Sequence, residues 1–201
     1  MTVPYELVVI GASWGGLRAV GELLEGVPER LELAFAVAQH RGPDARRGGL
    51  EELLQMRTPY PVQEVGDKDP IEPGNVYVAP PDYHLLVERG SFALSVDERV
   101  NYARPSIDVL FQSASDVYRE WTIGIVLTGA NEDGAAGLAL IKRRGGVAIV
   151  QDPREAEAPT MPTAALAATA ADAVLPLAEM GRFLHGLCLP VDTSRLEGSR
   201  R

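Results

Sequence analysis

Short apolar runs and helical patterns alternate along this chain. Runs at residues 7–10, 33–38, 122–127 and 147–150 are almost wholly apolar, which is typical of strands buried on both faces of a parallel sheet. After the first run, Leu17, Val20 and Leu23 recur at helical spacing, and Gly26 ends that pattern. Further helices are predicted for residues 49–56, from Pro105 onward, from 135 to the glycine pair at 145–146, and for 162–170 and 177–187, with a last short strand at 173–175.

The middle of the chain has a different pattern. Strand-like pieces at 62–64, 75–78, 84–88 and 91–95 are separated by turns rich in Pro and Gly, so we expect small antiparallel strands here. The whole pattern predicts an α/β fold: a doubly wound, mostly parallel sheet with helices on both faces and a small antiparallel insertion. Residues 1–191 are predicted to form one domain and residues 192–201 a polar, flexible tail.

Charge and composition exclude several classes of function. Lys and Arg number 19 against 28 Asp and Glu, a formal net charge of -9, which argues against binding nucleic acid or an anionic membrane surface. No apolar stretch approaches the roughly 20 residues of a membrane span, and the amino terminus lacks the features of a signal peptide. The lone Cys188 forms no internal disulfide and fits a small buried side chain. We expect a cytoplasmic protein without membrane insertion.

Candidate chemistry begins directly after the first predicted strand. The segment Gly-Ala-Ser-Trp-Gly-Gly at 11–16 fits the Gly-x-Ser-x-Gly pattern of a nucleophile elbow, in the expected setting of strand, turn and helix. Small residues around Ser13 permit a sharp turn that exposes its hydroxyl. A serine in this place also serves as a helix cap, and these residues alone support the two roles equally. The segment does not match the dinucleotide-binding fingerprint.

Two further segments follow predicted strands and therefore reach the same edge of the sheet. His40 ends the second strand, and an imidazole there is suited to taking a proton from a serine and returning it. Asp133 lies in the loop after the strand at 122–127, where an aspartate could orient the histidine. A structural histidine and a helix-capping aspartate are the competing interpretations. The chain order Ser, His, Asp differs from that of the α/β-hydrolases.

Five motifs together resemble the catalytic domain of the chemotaxis protein-glutamate methylesterases, the CheB family. They are Gly-Ala-Ser-x-Gly-Gly at 11–16, Gln-His at 39–40, Val-Tyr-Val-Ala-Pro-Pro-Asp-Tyr-His at 76–84, Arg-Pro-Ser-Ile-Asp-Val-Leu-Phe at 104–111 and Leu-Thr-Gly-x-x-x-Asp-Gly-Ala-x-Gly at 127–137. They occur in the order and spacing of that family, from about residue 7 to residue 189.

The resemblance implies a function and a set of site residues. Ser13 matches the family's nucleophile, His40 its general base and acid, and Asp133 the aspartate behind the histidine, while the backbone amides of Trp14 and Ala130 match its oxyanion hole. Family members hydrolyse glutamate methyl esters, and deamidate certain glutamines, on the cytoplasmic helical region of chemoreceptors. By this resemblance the partner is a methyl-accepting chemoreceptor or a similar methylated protein, and no metal or cofactor is needed.

Two features depart from the family pattern. Many members carry an amino-terminal receiver domain, whereas this chain starts almost at its first predicted strand, so we expect a stand-alone catalytic domain. Trp14 stands where the family usually has a small residue such as Thr or Ala. Two alternatives therefore accompany the methylesterase interpretation: a non-catalytic module that docks on receptors, and an esterase for another protein or a small ester.

Other polar residues near these motifs have no assigned role in substrate binding. Arg104 and Asp108 flank a predicted helix start, where substrate binding, capping and ion pairing are all compatible with the sequence. His84 follows a Pro-Pro-Asp turn, and a structural role is favoured for it.

Overall fold

The structure, a computed structural model, describes residues 5–28, 31–42 and 48–188. Its strands are β1 Leu7–Ala12, β2 Ala34–Gln39, β3 Val62–Glu64, β4 Val76–Val78, β5 His84–Glu88, β6 Ser91–Ser95, β7 Thr122–Val126, β8 Val147–Gln151 and β9 Ala173–Leu175. Its helices are α1 Gly16–Glu25, α2 Gly49–Gln55, α3 Ile107–Tyr118, α4 Ala135–Arg143, α5 Thr160–Ala168 and α6 Leu177–Cys188, with a turn of 3-10 helix at Arg119–Trp121. The predicted tail, residues 192–201, lies outside the described residues.

Seven strands form a parallel sheet in the order β3-β4-β2-β1-β7-β8-β9. The central strand is β1; the first strands of the chain, β2 to β4, lie on one side of it, and β7, β8 and β9 follow in order on the other. The predicted doubly wound α/β fold is confirmed. In the described ranges, no helix is both long and apolar enough to cross a membrane.

Two apolar layers cover the sheet, because alternate residues of its strands point to opposite faces. On one face, Val8 and Ile10 of β1 pack in a cluster with Leu23 of α1 and Leu184 of α6. On the other face, Leu7 and Val9 belong to a cluster built with α3, α4, α5 and the β5–β6 pair. Each fully buried aliphatic side chain of this kind contributes about 1.5–3 kcal/mol to folding.

Two details differ from the expectations. The segments at 62–64 and 75–78 are not part of an antiparallel insertion, since β3 and β4 pair in parallel and extend the main sheet beside β2. The complete burial of β4 fits a strand inside a parallel sheet. Among the strands of the described residues, only β5 and β6 pair antiparallel. Helix α3 starts at Ile107 rather than at Pro105, because Ser106 is its N-cap and accepts from the Val109 amide.

Candidate active site

Ser13 lies at the carboxyl end of β1, where the strand order of the sheet reverses. Ala12 pairs with Gln39 of β2, and the His40 amide donates to the Ala12 carbonyl at 3.0 Å. Ser13 and His40 therefore leave neighbouring strands side by side. On the other flank, the Ser13 amide donates to the Thr128 carbonyl at 2.9 Å, just beyond β7. Ligands bind at such reversal points in open parallel sheets, because the connecting helices separate there.

The turn that carries Ser13 is a glycine-dependent elbow rather than a capped helix start. The N-cap of α1 is Gly15, with φ 76° and no side-chain cap, so Ser13 is not the cap that the competing interpretation expected. A Cβ on Gly15 would lie 2.9 Å from the Cβ of Glu157, which leaves glycine as the residue that fits. Within the described residues, the Ser13 hydroxyl, which is partly exposed, has no hydrogen-bond partner.

Side chains from neighbouring strands hold this elbow by its carbonyl groups. The Gln39 amide donates to the Ser13 carbonyl at 2.7 Å and to the His40 carbonyl at 3.1 Å, which fixes the two candidates relative to each other. The Thr128 hydroxyl donates to the Trp14 carbonyl at 2.9 Å and accepts from the Ala158 amide at 2.8 Å. These bonds orient the backbone around Ser13 without using its hydroxyl.

His40 and Asp133 form a direct pair. His40 Nε2 lies 2.8 Å from Asp133 Oδ2; the histidine side chain is 13% exposed and the aspartate fully buried. Because an ionised carboxylate only accepts hydrogen bonds, Nε2 carries the proton in the neutral imidazole and Nδ1 keeps its lone pair. Nδ1 has a contact with the side-chain amide nitrogen of Asn131, at the long distance of 3.5 Å. Nδ1 is thus the ring nitrogen suited to accept a proton.

Asp133 is surrounded by hydrogen-bond donors. Besides His40, it accepts from the Ile107 amide at 2.7 Å, the Asp108 amide at 3.1 Å, the Ser106 hydroxyl at 2.9 Å and the Asn101 side chain at 3.2 Å. Burial alone raises the pKa of this carboxyl, but the bonds from His40 and from the two amides outweigh burial and lower its pKa overall. The positive end of α3 thereby stabilises the ionised form that the His40 pair requires.

The two helices beside the site cap each other. Asp133 precedes α4, yet its carboxylate binds the amides at the start of α3; Asp108, in the first turn of α3, accepts from the Gly137 amide of α4 at 2.7 Å. We call this arrangement the reciprocal cap. Asn101 bridges it by donating to both Asp108, at 3.0 Å, and Asp133. Burial, together with the negative charge of Asp133, raises the pKa of Asp108.

Two backbone amides near Ser13 are free to receive negative charge. Within the described residues, neither the Trp14 amide nor the Ala130 amide donates a hydrogen bond. The segment before Ala130 is fixed, because Gly129 exchanges backbone bonds with Ala158, at 3.0 Å, and Met161, at 2.9 Å. Free amides on a rigid backbone are what an oxyanion hole requires.

Arg104 and His84 make contacts that hold the loops beside the site. Arg104 binds Asp82 at 2.9 Å and donates to the Val96 carbonyl at 2.7 Å, so it ties together the turns beside the site. His84 is buried, accepts from the Ser106 amide at 3.2 Å and bonds to the Glu98 carbonyl at 3.0 Å. The structural role favoured for His84 fits these contacts.

Sequence reasoning missed the residues that hold the candidates in place. Gln39, Asn101 and Thr128 lie beside them, but each acts through a tertiary hydrogen bond that no local pattern announces. Gln39 and Thr128 were at least visible as polar residues directly after buried strands. Asn101 carried no comparable signal, because it lies in a short turn outside the predicted strands and helices.

Comparisons with known proteins find a family, relatives and a solved structure that resemble this chain. The model of the CheB methylesterase family matches residues 8–184. A Leptospira interrogans protein, provisionally named protein-glutamate methylesterase/protein-glutamine glutaminase, is 45% identical over 199 residues, which cover 96% of this chain and 98% of the relative. The catalytic domain of the Thermotoga maritima CheB methylesterase superposes with a TM-score of 0.86 at 31% identity, covering 91% of this chain and 98% of that domain.

A longer relative shows the same match over part of its length. The protein-glutamate methylesterase/protein-glutamine glutaminase 2 of Anaeromyxobacter dehalogenans is 39% identical over 182 residues, which cover 90% of this chain and 53% of the relative. This chain therefore spans about half of that protein.

Likeness in sequence and in fold places the chain among the α/β ester hydrolases. It belongs to the CheB methylesterase family, since the family model matches most of its length and relatives well above 30% identity cover nearly all of it. The resemblance indicated by the five sequence motifs is confirmed.

Proposed function

We propose that this chain hydrolyses glutamate methyl esters on a protein, with Ser13 as nucleophile, His40 as general base and acid, and Asp133 as the residue that orients His40. The observation that carries this proposal is the 2.8 Å bond between His40 Nε2 and Asp133 Oδ2. It assigns the ring proton to Nε2 and leaves Nδ1 available to the serine. The register of β1 and β2, which sets Ser13 beside His40, supports the same roles.

In the first half of the reaction, Ser13 Oγ attacks the ester carbonyl while His40 Nδ1 takes the hydroxyl proton. Negative charge then develops on the carbonyl oxygen, and the free amides of Trp14 and Ala130 are its proposed donors. Asp133 stabilises the imidazolium that forms, without taking its proton. The tetrahedral intermediate collapses, Nδ1 returns the proton to the leaving oxygen, and methanol departs from an acyl-serine.

In the second half, water replaces methanol. His40 takes a proton from the water as it attacks the acyl carbonyl, and the same two amides receive the second oxyanion. Collapse returns the proton to Ser13 Oγ and releases a free glutamate side chain. Applied to a glutamine side chain, the same steps expel ammonia, which is the second activity we propose, because the names of relatives combine both activities.

The proposed partner is the cytoplasmic helical region of a methyl-accepting chemoreceptor or a similar methylated protein. The proposed catalytic domain is residues 1–191, a span that contains the whole family match. We place the reaction in the cytoplasm; the free, buried Cys188 suits a reducing compartment.

The test is methanol release from a methylated receptor fragment. We expect Ser13→Ala to lower the rate at least ~10⁴-fold, because the covalent route is lost. Ser91→Ala, in the distant β5–β6 pair, is the matched control and should keep the rate. A fluorophosphonate probe should label the wild type and the control but not Ser13→Ala.

Three outcomes would contradict this proposal. Unchanged methanol release by Ser13→Ala would remove Ser13 as the nucleophile. A folded wild type that takes no probe and releases no methanol would favour a receptor-docking module. Hydrolysis of small esters with none of the receptor ester would favour a different substrate.

A further inference from the structure

A two-residue hairpin turn lies beside the site. One of its two central residues is aromatic and has a backbone conformation that is unfavourable for such a residue. The Val100 and Ala103 backbones bond to each other in both directions, at 3.2 and 2.9 Å. The two residues between them have positive φ, 50° for Asn101 and 62° for Tyr102. A turn with both central residues in this region is of type I′, which strongly prefers Asn followed by Gly. Asn101 fits this preference, whereas Tyr102 does not.

The fold uses Asn101 but gains nothing from the Tyr102 side chain. Asn101 bridges the reciprocal cap through Asp108 and Asp133. Tyr102 is 97% exposed, so its ring buries almost no surface in this chain. A bulky residue at positive φ is strained, and here no packing compensates. Strain that the fold does not use suggests that the ring is needed for something outside the chain.

The position of the Tyr102 ring indicates which molecule it contacts. Tyr102 lines a cleft of about 300 Å³ together with His40, Asn131 and Arg41. Trp14, which directly follows Ser13, is also 66% exposed. Two exposed aromatic side chains thus flank the reacting groups from separate elements. Aromatic rings bury a large area on binding at a small cost in conformational entropy, which suits contact with a polypeptide.

We propose that Tyr102 is a specificity-determining residue whose ring packs on the polypeptide next to the methylated glutamate. The Asn101 bonds to Asp108 and Asp133 hold the turn beside the reacting groups, so the Tyr102 backbone has a fixed position next to them. Tyr102 then governs affinity for the protein substrate and leaves the reactivity of the ester unchanged. This inference rests on the proposed methylesterase function.

The experiment compares two substrates, a methylated receptor fragment and p-nitrophenyl acetate. Tyr102→Gly should raise KM for the receptor fragment about tenfold, with kcat within about twofold, because loss of an aromatic contact of this kind removes that much affinity. Its kcat/KM for p-nitrophenyl acetate should stay within about twofold of the wild type, since the small ester does not reach the ring. Relief of the strain should raise Tm by about 2–4 °C.

Matched variants separate the ring from the backbone. Tyr102→Phe keeps the ring and should keep the wild-type KM, whereas Tyr102→Asn suits positive φ without a ring and should behave as Tyr102→Gly does. Trp121→Ala removes an exposed aromatic side chain just before β7, at the opposite edge of the sheet, and should leave KM unchanged.

An unchanged KM for the receptor fragment in Tyr102→Gly would overturn the proposal. Equal losses on both substrates would also overturn it, because the turn would then act on the reacting groups themselves. A wild type that hydrolyses p-nitrophenyl acetate but releases no methanol from the receptor fragment would sink the proposed function, and this inference with it. That result is distinct, because it appears without any variant.

Discussion

The helix starts at the two sides of the site are built in opposite ways. At Ser13, α1 begins on Gly15 without a side-chain cap, and the Trp14 amide has no acceptor among the described residues. At Asp133, the first amides of α3 are bound by a carboxylate, and Asp108 does the same for α4. The Trp14 amide has no acceptor on the side where we propose that negative charge develops only during the reaction. The first amides of α3 are paired, because the charge of Asp133 beside them is permanent.

This contrast separates two uses of the same physical resource. A helix start offers several unpaired amides and the positive end of a dipole. In the reciprocal cap these groups stabilise an ionised Asp133, which keeps the proton of His40 on Nε2. Just before α1, the Trp14 amide has no acceptor among the described residues, so a transition state can gain more from it than the ground state does.

Removing the charge of Asp133 tests the contrast between the two helix starts and should give the largest effect. We expect Asp133→Asn to lower kcat for methanol release by ~10⁴-fold, because an amide no longer requires the ring proton on Nε2. Glu132→Gln, an exposed neighbour, is the control and should keep the wild-type kcat. Activity that survives in Asp133→Asn would show that the buried carboxylate only caps α3.

Asp108 tests the other half of the reciprocal cap. Asp108→Ala leaves the Gly137 amide without its acceptor, so we expect a loss of about 1–3 kcal/mol in the free energy of unfolding. Asp108→Asn keeps an acceptor and should recover most of that loss. Urea denaturation measures both variants, and equal destabilisation would show that the charge of Asp108, rather than the bond to Gly137, matters.

Gly15→Ala sharpens the contrast at the elbow. A Cβ there meets Glu157 and sits at φ 76°, so we expect a loss of about 1–2 kcal/mol in stability, with slower fluorophosphonate labelling of Ser13. Gly186→Ala is the matched control: nothing lies within 4 Å of its added Cβ, and an alanine inside α6 should stabilise by about 1 kcal/mol. If both alanines acted alike, the elbow would not require glycine at position 15.

Lowering the pH should change the contributions of Asp133 and Asp108 to the free energy of unfolding in opposite directions. We expect this to be the smallest of the predicted effects. The pKa of Asp133 is lowered by folding, so its contribution is complete above the ordinary value near ~3.9 and is lost as pH falls through the lowered pKa. The pKa of Asp108 is raised by folding, so its ionisation opposes folding as pH rises from ~3.9 through the raised pKa.

Urea unfolding between about pH 3 and 7 measures both effects. Toward acid, the stability advantage of the wild type over Asp133→Asn should shrink. Over the same range, the stability of the wild type relative to Asp108→Asn should improve. Parallel curves for the two variants would contradict the opposite shifts.

The sequence predicted the fold and the candidate residues, but not the tertiary hydrogen bonds that position those residues. Continuous apolar runs identified β1 and β7 as buried parallel strands, and the glycines around Ser13 identified the elbow. The strands at 62–64 and 75–78 were placed wrongly, because three or four residues contain no information on which strand they pair with. Helix α3 was predicted to start at Pro105, since a local pattern cannot show that Asp133 supplies its first acceptors.

For Ser13 and Asp133, only tertiary contacts could distinguish a helix-capping role from a chemical one. Ser13 as a cap and Ser13 as a free hydroxyl have the same local sequence, and only the position of Gly15 as N-cap distinguishes them. Asp133 does act as a cap, although for α3 rather than for the helix that follows it. An aspartate can therefore satisfy the structural and the chemical interpretation at once.

The reciprocal cap has a consequence for how the protein folds. His40 and Asp133 are 93 residues apart, and the Ile107 and Asp108 amides of α3 have the Asp133 carboxylate as acceptor only after β7 and the loop beyond it are in place. Contacts of such long sequence separation form slowly, because a large loop must close before they stabilise anything. A chain still emerging from the ribosome, or one that has lost β7, would have only the local Ser106 cap at the start of α3 and no oriented imidazole. Ester hydrolysis is thereby confined to the fully folded protein.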